Sequence, residues 1–331
     1  MSAPMNSACR AFILLAAAGT VAAWGAAPAP ATPPPAAEVH ILPVQGNIAM
    51  LVGAGGNITV QTGNDGVLLV DTGLAPMSDK VLAAVHSLSD KTIRYIIDTH
   101  VHADHVGGNE AISKSGKTIA GGNVVGDIGT SASSQATIFA FQTVLDRMST
   151  AAPGSPAAPQ AAWPTDTYTT PERRIFFNNE GVEMIHVPAA HTDGDTMVFF
   201  RRSDVISTGD IFVTNGYPIV DLDHGGNIQG VIDGLNRIVE MAIPADEQEG
   251  GTLIIPGHGR LCDVADVVYY QEMVIIIRDR IQDMIKKGMS LEQVVAAKPT
   301  RDYDPRYGST TGFWTTDKFV TAVYKSLRAK P

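Results

Sequence analysis

The chain reads as an α/β protein with one large domain. Three observations point there. Short apolar runs rich in Val and Ile end at polar residues, longer segments between them carry helical apolar periodicity, and 331 residues at 44% hydrophobic content suffice for a sizeable core.

Taken in order, Val39–Pro43, Ile48–Val52, Ile58–Gln61 and Val67–Val70 predict antiparallel strands, with Gly63-Asn64-Asp65-Gly66 as the hairpin turn joining the last two. A helix follows over about Ser78–Leu88, and the β-branched and aromatic run Lys91–Ile97 predicts a buried strand. Thr137–Met148 predicts a helix. The Pro/Ala/Gly-rich stretch Ala151–Ala162 predicts a loop between two halves of similar βαβ-like order. In the second half Val182–Val187, Met197–Arg201, Val205–Thr208 and Leu253–Ile255 read as strands. Asn227–Ala242 and Asp263–Lys287 read as helices, the latter closed by Gly288, and Ser290–Ala297 has Ser290 as cap with Glu292 reinforcing it.

Directly after the strand Lys91–Ile97 stand His100, His102, Asp104 and His105, which spell H-x-H-x-D-H. In extended chain residues two apart point the same way, so His100 and His102 can grip one ion while Asp104 and His105, in a tightening turn, reach a second. Gly107-Gly108-Asn109 then lets a helix begin. Three later segments share this grammar of a strand ending in a ligand-type residue: His191 after Val182–Val187, Asp210 after Val205–Thr208, and His258 after Leu253–Ile255. Singly, a His or Asp at a strand end is more often a turn residue. Together with the motif they form a metal-ligating set.

This set resembles the metallo-β-lactamase superfamily, whose signature is H-x-H-x-D-H followed in order by a His, an Asp or Cys, and a final His. The resemblance runs from about Val39 to about Tyr270 and implies an αββα sandwich, two mixed sheets with helices outside. It implies that His100, His102 and His191 hold one metal, that Asp104, His105 and His258 hold the other, and that Asp210 bridges. Imidazole with carboxylate suits zinc, two ions per chain, and the absence of Cys ligands argues against a closed structural site. The expected activity is hydrolysis of an ester, lactone, thioester or lactam by water activated between the metals, with Asp104 and Asp210 orienting it and handling its proton. His224 is the candidate donor to a substrate oxygen.

Departures within the superfamily narrow the reading. The best-known β-lactamase subclass has Cys where this chain has Asp210, which weakens the reading as a β-lactamase proper. No glutathione-binding helical domain of the glyoxalase kind is evident. Lactonases of the acyl-homoserine type place Tyr three residues after the bridging Asp, where this chain has Val213; Tyr217 lies nearby at the wrong spacing. Two rivals are a mononuclear iron persulfide oxygenase with a related ligand set and a metal-binding protein without turnover.

Arg10 precedes the apolar run Ala11–Ala23 and small residues follow, the order of a secretory signal peptide. Residues 1–27 are thus expected to be a signal, 28–37 a Pro/Ala-rich tether, and 38–331 the domain, periplasmic or secreted. The apolar run is too short for a secure span, so no stable membrane insertion is expected after cleavage. Cys9 precedes that run, out of position for lipid attachment, and Cys262 is the only other cysteine, so no disulfide is expected in the mature chain. Losing the single charge of Arg10 takes the formal charge from −10 to −11, which disfavours nucleic acid and anionic membranes and favours a small-molecule substrate. The Gly53–Asn57 loop fits either a mobile flap over substrate or an ordinary turn. Trp163 is expected to be buried, and His40, His86 and His186 to be structural.

Overall fold

The computed structural model describes residues 38–118, 135–151 and 156–328. The expected signal and tether, and residues 152–155 of the expected central loop, lie outside the described residues.

Among the described residues twelve strands form two mixed sheets. The first, in spatial order, joins β1 (His40–Pro43), β2 (Ile48–Val52), β3 (Ile58–Gly63), β4 (Gly66–Val70), β5 (Ile93–Ile97), β6 (Thr137–Phe141) and β7 (Asp166–Tyr168). Its first four strands are antiparallel, and β4 to β7 pair in parallel. The hairpin turn falls where expected, with Gly63 opposite Gly66. The second sheet joins β8 (Glu172–Phe177), β9 (Glu180–His186), β10 (Thr196–Phe200), β11 (Val205–Ser207) and β12 (Leu253–Ile255), parallel only between β11 and β12.

The two-residue side-chain period of the strands sorts the core into layers. Met50, Leu68 and Val70 face Val182, Met184, Val198 and Phe200 between the sheets. The alternate residues Leu51, Val67 and Leu69 pack outward on α1 (Ser78–Leu88), through Val81 and Val85. On the far side Ile185, Met197, Ile206 and Ile254 meet α5 (Ile228–Met241), α6 (Val264–Lys286), α7 (Leu291–Ala297) and α9 (Thr316–Arg328). The result is the αββα sandwich. Three short helices complete it: α2 (Ala103–Val106), α3 (Asn109–Lys114) and α8 (Asp304–Tyr307), with α4 (Gln142–Ser149) beside β6.

Two expectations change. Thr137–Met148 is a strand followed by a helix rather than one helix, because Ile138, Phe139 and Ala140 are all buried and their strand lies between two parallel neighbours. A strand covered on both faces loses its alternation and cannot be told from a helix by period alone. At α7 the capping box is closed by Gln293, whose side chain accepts from Ser290 N at 2.8 Å, and not by Glu292.

Candidate metal centre

The ends of β4, β5, β9, β11 and β12 converge at one edge of the sandwich and bring all seven candidate ligands together. His100, His102 and His191 each offer an atom within 4.8 Å of the others, as do Asp104, His105 and His258, and His100, His105 and Asp210 form a third overlapping group. Asp210 lies between the two main groups. Its Oδ1 is 3.3 Å from His105 Nε2 and 3.5 Å from His258 Nε2, while Oδ2 is 3.7 Å from His191 Nε2.

Hydrogen bonds behind the rings fix which nitrogen faces inward. His102 Nε2 donates to Asp221 Oδ2 at 2.7 Å, His105 Nδ1 to Asp71 Oδ2 at 2.7 Å, and His191 Nδ1 to the Ile219 carbonyl at 2.7 Å. Thr99 Oγ1 gives its proton to Asp71 Oδ2, 2.8 Å away, and so accepts from His100 Nδ1 at 3.0 Å. His102 Nδ1 and His191 Nε2 are thereby left with lone pairs facing one another at 2.8 Å. His100 Nε2 and Asp210 Oδ1 are buried without any hydrogen-bond partner among the described residues. Unpartnered buried polar atoms are costly. Converging lone pairs and an unsatisfied carboxylate oxygen are what a cation would satisfy, so the residues present fit a metal centre.

Electrostatics divide the set: against burial, Asp210 and Asp71 raise His105 well above the usual histidine range and Asp104 and Asp210 raise His258, while His100 and His191 fall. Burial, with neighbouring imidazoles, holds His100 well below the usual histidine range, and burial takes His191 down to about 4. Both stay neutral and ligand-ready near pH 7. Burial opposes ionisation of Asp210, but His105 beside it outweighs this and holds the carboxyl well below its ordinary value. Asp104 is likewise lowered, burial being outweighed by its bond from His258.

Asp71 joins the candidate site from a strand end, outside the H-x-H-x-D-H motif. It follows β4 at φ 66°, a conformation rare for residues other than glycine, and its carboxylate collects Thr99 N, Thr99 Oγ1 and His105 Nδ1. Asp221 joins the site as well, visible in sequence only as a neighbour of His224. His224 itself is placed differently from expectation. Its Nδ1 donates to Asp221 Oδ2 at 2.6 Å and the ring stands 5.6 Å from that of His102, behind this histidine and outside the lining of the cleft. Its Nδ1 is thus committed to Asp221, the carboxylate that also holds His102.

The Gly53–Asn57 loop is a packed turn. Gly56 N donates to the Asp104 carbonyl at 3.0 Å, Asn57 N to that of Gly257 at 2.7 Å, and Asn57 Nδ2 to that of Pro256 at 2.9 Å. A Cβ on Gly56 would lie 2.4 Å from Cε1 of His105, and one on Gly257 would lie 2.0 Å from Asp210 Oδ1, so both glycines permit close approach to candidate ligands. Tyr217 is 3% exposed, and its hydroxyl donates to Asp304 Oδ1 at 2.9 Å, so it is already engaged away from the ligands. Trp163 is half-buried, with Nε1 bonded to the Ala158 carbonyl at 2.8 Å. The ligands His102, Asp104, Asp210 and His258 open onto a cleft of about 1050 Å³.

Comparisons with known proteins follow this geometry. Among solved structures the chain is similar to the stereoselective inverting sec-alkylsulfatase Pisa1 from Pseudomonas sp., at 14% identity and a TM-score of 0.61, over 87% of this chain and 50% of that one. The chain therefore spans about half the length of that relative. It is also similar to the DIM-1 metallo-β-lactamase, at 14% identity and a TM-score of 0.52, covering 72% of this chain and 97% of that one. A metallo-β-lactamase from Pontibacter korlensis, at 12% identity and a TM-score of 0.51, covers 72% of this chain and 99% of its own. At such identities the likeness shows the fold. No curated protein matches in sequence. The model of the metallo-beta-lactamase superfamily matches residues 51–258, more than half of the chain, and with the complete signature gathered at one sandwich edge this chain belongs to that superfamily.

Proposed function

We propose that the chain is an exported, dinuclear zinc hydrolase of small molecules whose reacting group is an ester, lactone, thioester or lactam carbonyl. The observation that carries this reading is the place of Asp210, with one oxygen toward each histidine group. A carboxylate so placed can bridge two ions, and with a further His and Asp set at Asp104, His105 and His258 this favours the dinuclear reading over a single ion held by His100, His105 and Asp210. His100, His102 and His191 would hold one ion, and Asp104, His105 and His258 the other. When bound, such a pair supplies a water activated near neutral pH and polarises the oxygen of the group attacked.

The protein's own residues do the rest. Asp104, 36% exposed at the cleft and 3.2 Å from His258 Nε2 through Oδ2, is placed to orient water and to accept its proton at a carboxylate oxygen held ionised by His258. Asp71 and Asp221 hold His105 and His102 in the tautomers that present lone pairs inward. The Asp at the bridging position, where the best-known β-lactamase subclass has Cys, ranks lactams below esters and thioesters.

The reading is tested by assaying a panel of activated esters, lactones, thioesters and β-lactams with and without chelator. Hydrolysis of at least one non-lactam carbonyl, lost on chelation and lost in a folded Asp210→Ala variant, supports it. Turnover retained in Asp210→Ala with both ions bound contradicts the bridging role. A β-lactam preferred more than about a hundredfold in kcat/KM, roughly 2.7 kcal/mol of transition-state preference, would instead make the protein a β-lactamase proper.

A further inference from the structure

Part of the wall of the cleft onto which the candidate ligands open is formed by residues of the segment 307–325, beyond the residues matched by the superfamily model, with Leu222 joining it. This wall is anchored. Tyr217 stacks on Phe319 with ring centroids 4.7 Å apart at 6°, Trp314 Nε1 donates to the Pro218 carbonyl at 3.2 Å, and Ser326 Oγ accepts from Ile228 N at 3.0 Å. It is therefore a fixed surface that a substrate bound at the ligand edge must meet.

Its chemistry is two-sided. Phe313 lines the cleft while 76% exposed, and Leu222 joins it at 37%. Exposed apolar side chains grouped in a cleft mark a surface meant to be covered. Beside them α9 presents Lys318 and Lys325, seven residues apart and so on one helix face, with Asp317 on α9 and Asp221 and Asp223 next to Leu222 as the acidic side chains outside the candidate ligands that line the cleft. Lys318 Nζ is tied to the Phe313 carbonyl at 2.5 Å. Lys325 is exposed and has no carboxylate within ion-pair distance among the described residues.

We infer that this wall selects an amphiphilic anionic substrate, laying its apolar body on Phe313 and Leu222 and its distal carboxylate on Lys325. The inference rests on the hydrolase reading for the reaction, but the binding it describes is measurable without turnover. Octanoate and its neutral analogue octanamide are titrated into the metal-loaded protein and followed by fluorescence of Trp314, with Trp314→Phe identifying the signal. Octanoate should bind at least tenfold more tightly than octanamide. Lys325→Met should remove that preference, Lys318→Met should keep it, and Phe313→Ala should weaken both ligands by a similar factor. In turnover, Lys325→Met should raise KM for an activated ester bearing a distal carboxylate about tenfold, without changing kcat or the KM of the corresponding methyl ester. A preference that survives Lys325→Met places the carboxylate at the metal ligands and overturns the inference, as does equal or undetectable binding of the two probes. Selective binding without hydrolysis of any carbonyl would leave the wall's role standing and overturn the hydrolase reading instead.

Discussion

Asp221 Oδ2 accepts from His102 Nε2 at 2.7 Å, and this single bond decides that His102 turns Nδ1 toward His191. Partners of this kind commonly contribute 10–100-fold to metal affinity. Asp221→Ala should therefore weaken the ion held by His100, His102 and His191 by about that factor while the protein stays folded. Chelator competition followed by elemental analysis reads this directly, and unchanged affinity would remove Asp221 from the account.

Gly56 should tolerate no side chain. A Cβ there meets the His105 ring at 2.4 Å, and that ring is buried and bonded to Asp71, so it cannot swing away. Gly56→Ala should cost about 1–3 kcal/mol, the usual range for overpacking. It should also lower occupancy of the Asp104, His105 and His258 group. A Tm and metal content equal to those of the parent protein would show that the loop yields.

Much of this was legible in the sequence because strands ending in ligand-type residues carry both their fold signal and their chemistry in one place. The run before His100, the Gly63–Gly66 turn and the helix at Ser78–Leu88 needed no tertiary context. Thr137–Phe141 was not legible as a strand, since burial on both faces erases the period. Strand β8 is an edge strand whose Glu172, Arg173 and Arg174 hide its pattern. Asp71 stands at a strand end as the candidate ligands do and was legible by that pattern, whereas Asp221 escaped because its partner His102 lies 119 residues away and only the fold joins them. The engagement of His224 Nδ1 with Asp221 was likewise invisible in the sequence.

Cys262 should be inert in the native protein. It is buried, its Sγ donates to the Arg260 carbonyl at 3.2 Å, and burial pushes the thiol up to about 12. An acid whose pKa is raised by folding keeps its proton, so at pH 8 the thiolate fraction is about one in ten thousand, against roughly a quarter for an unperturbed cysteine. Thiol reagents at pH 8 should label it only after denaturation. Stoichiometric labelling of native protein within minutes would contradict this.

Export is expected from the order of Arg10, the apolar run Ala11–Ala23 and the small residues that follow. Mass spectrometry of protein recovered from the periplasm or medium of a suitable bacterial host should find a start between about Ala23 and Pro30. Soluble, exported protein that retains Met1 would contradict the signal assignment.

The central claim is that seven side chains form two adjacent ion sites bridged by Asp210, and elemental analysis of the purified mature protein tests it most directly. The account predicts close to two zinc-class ions per chain, falling toward one in Asp221→Ala under chelator competition. A single tightly bound iron with no second metal, or a folded protein that binds no ion at all, would contradict it.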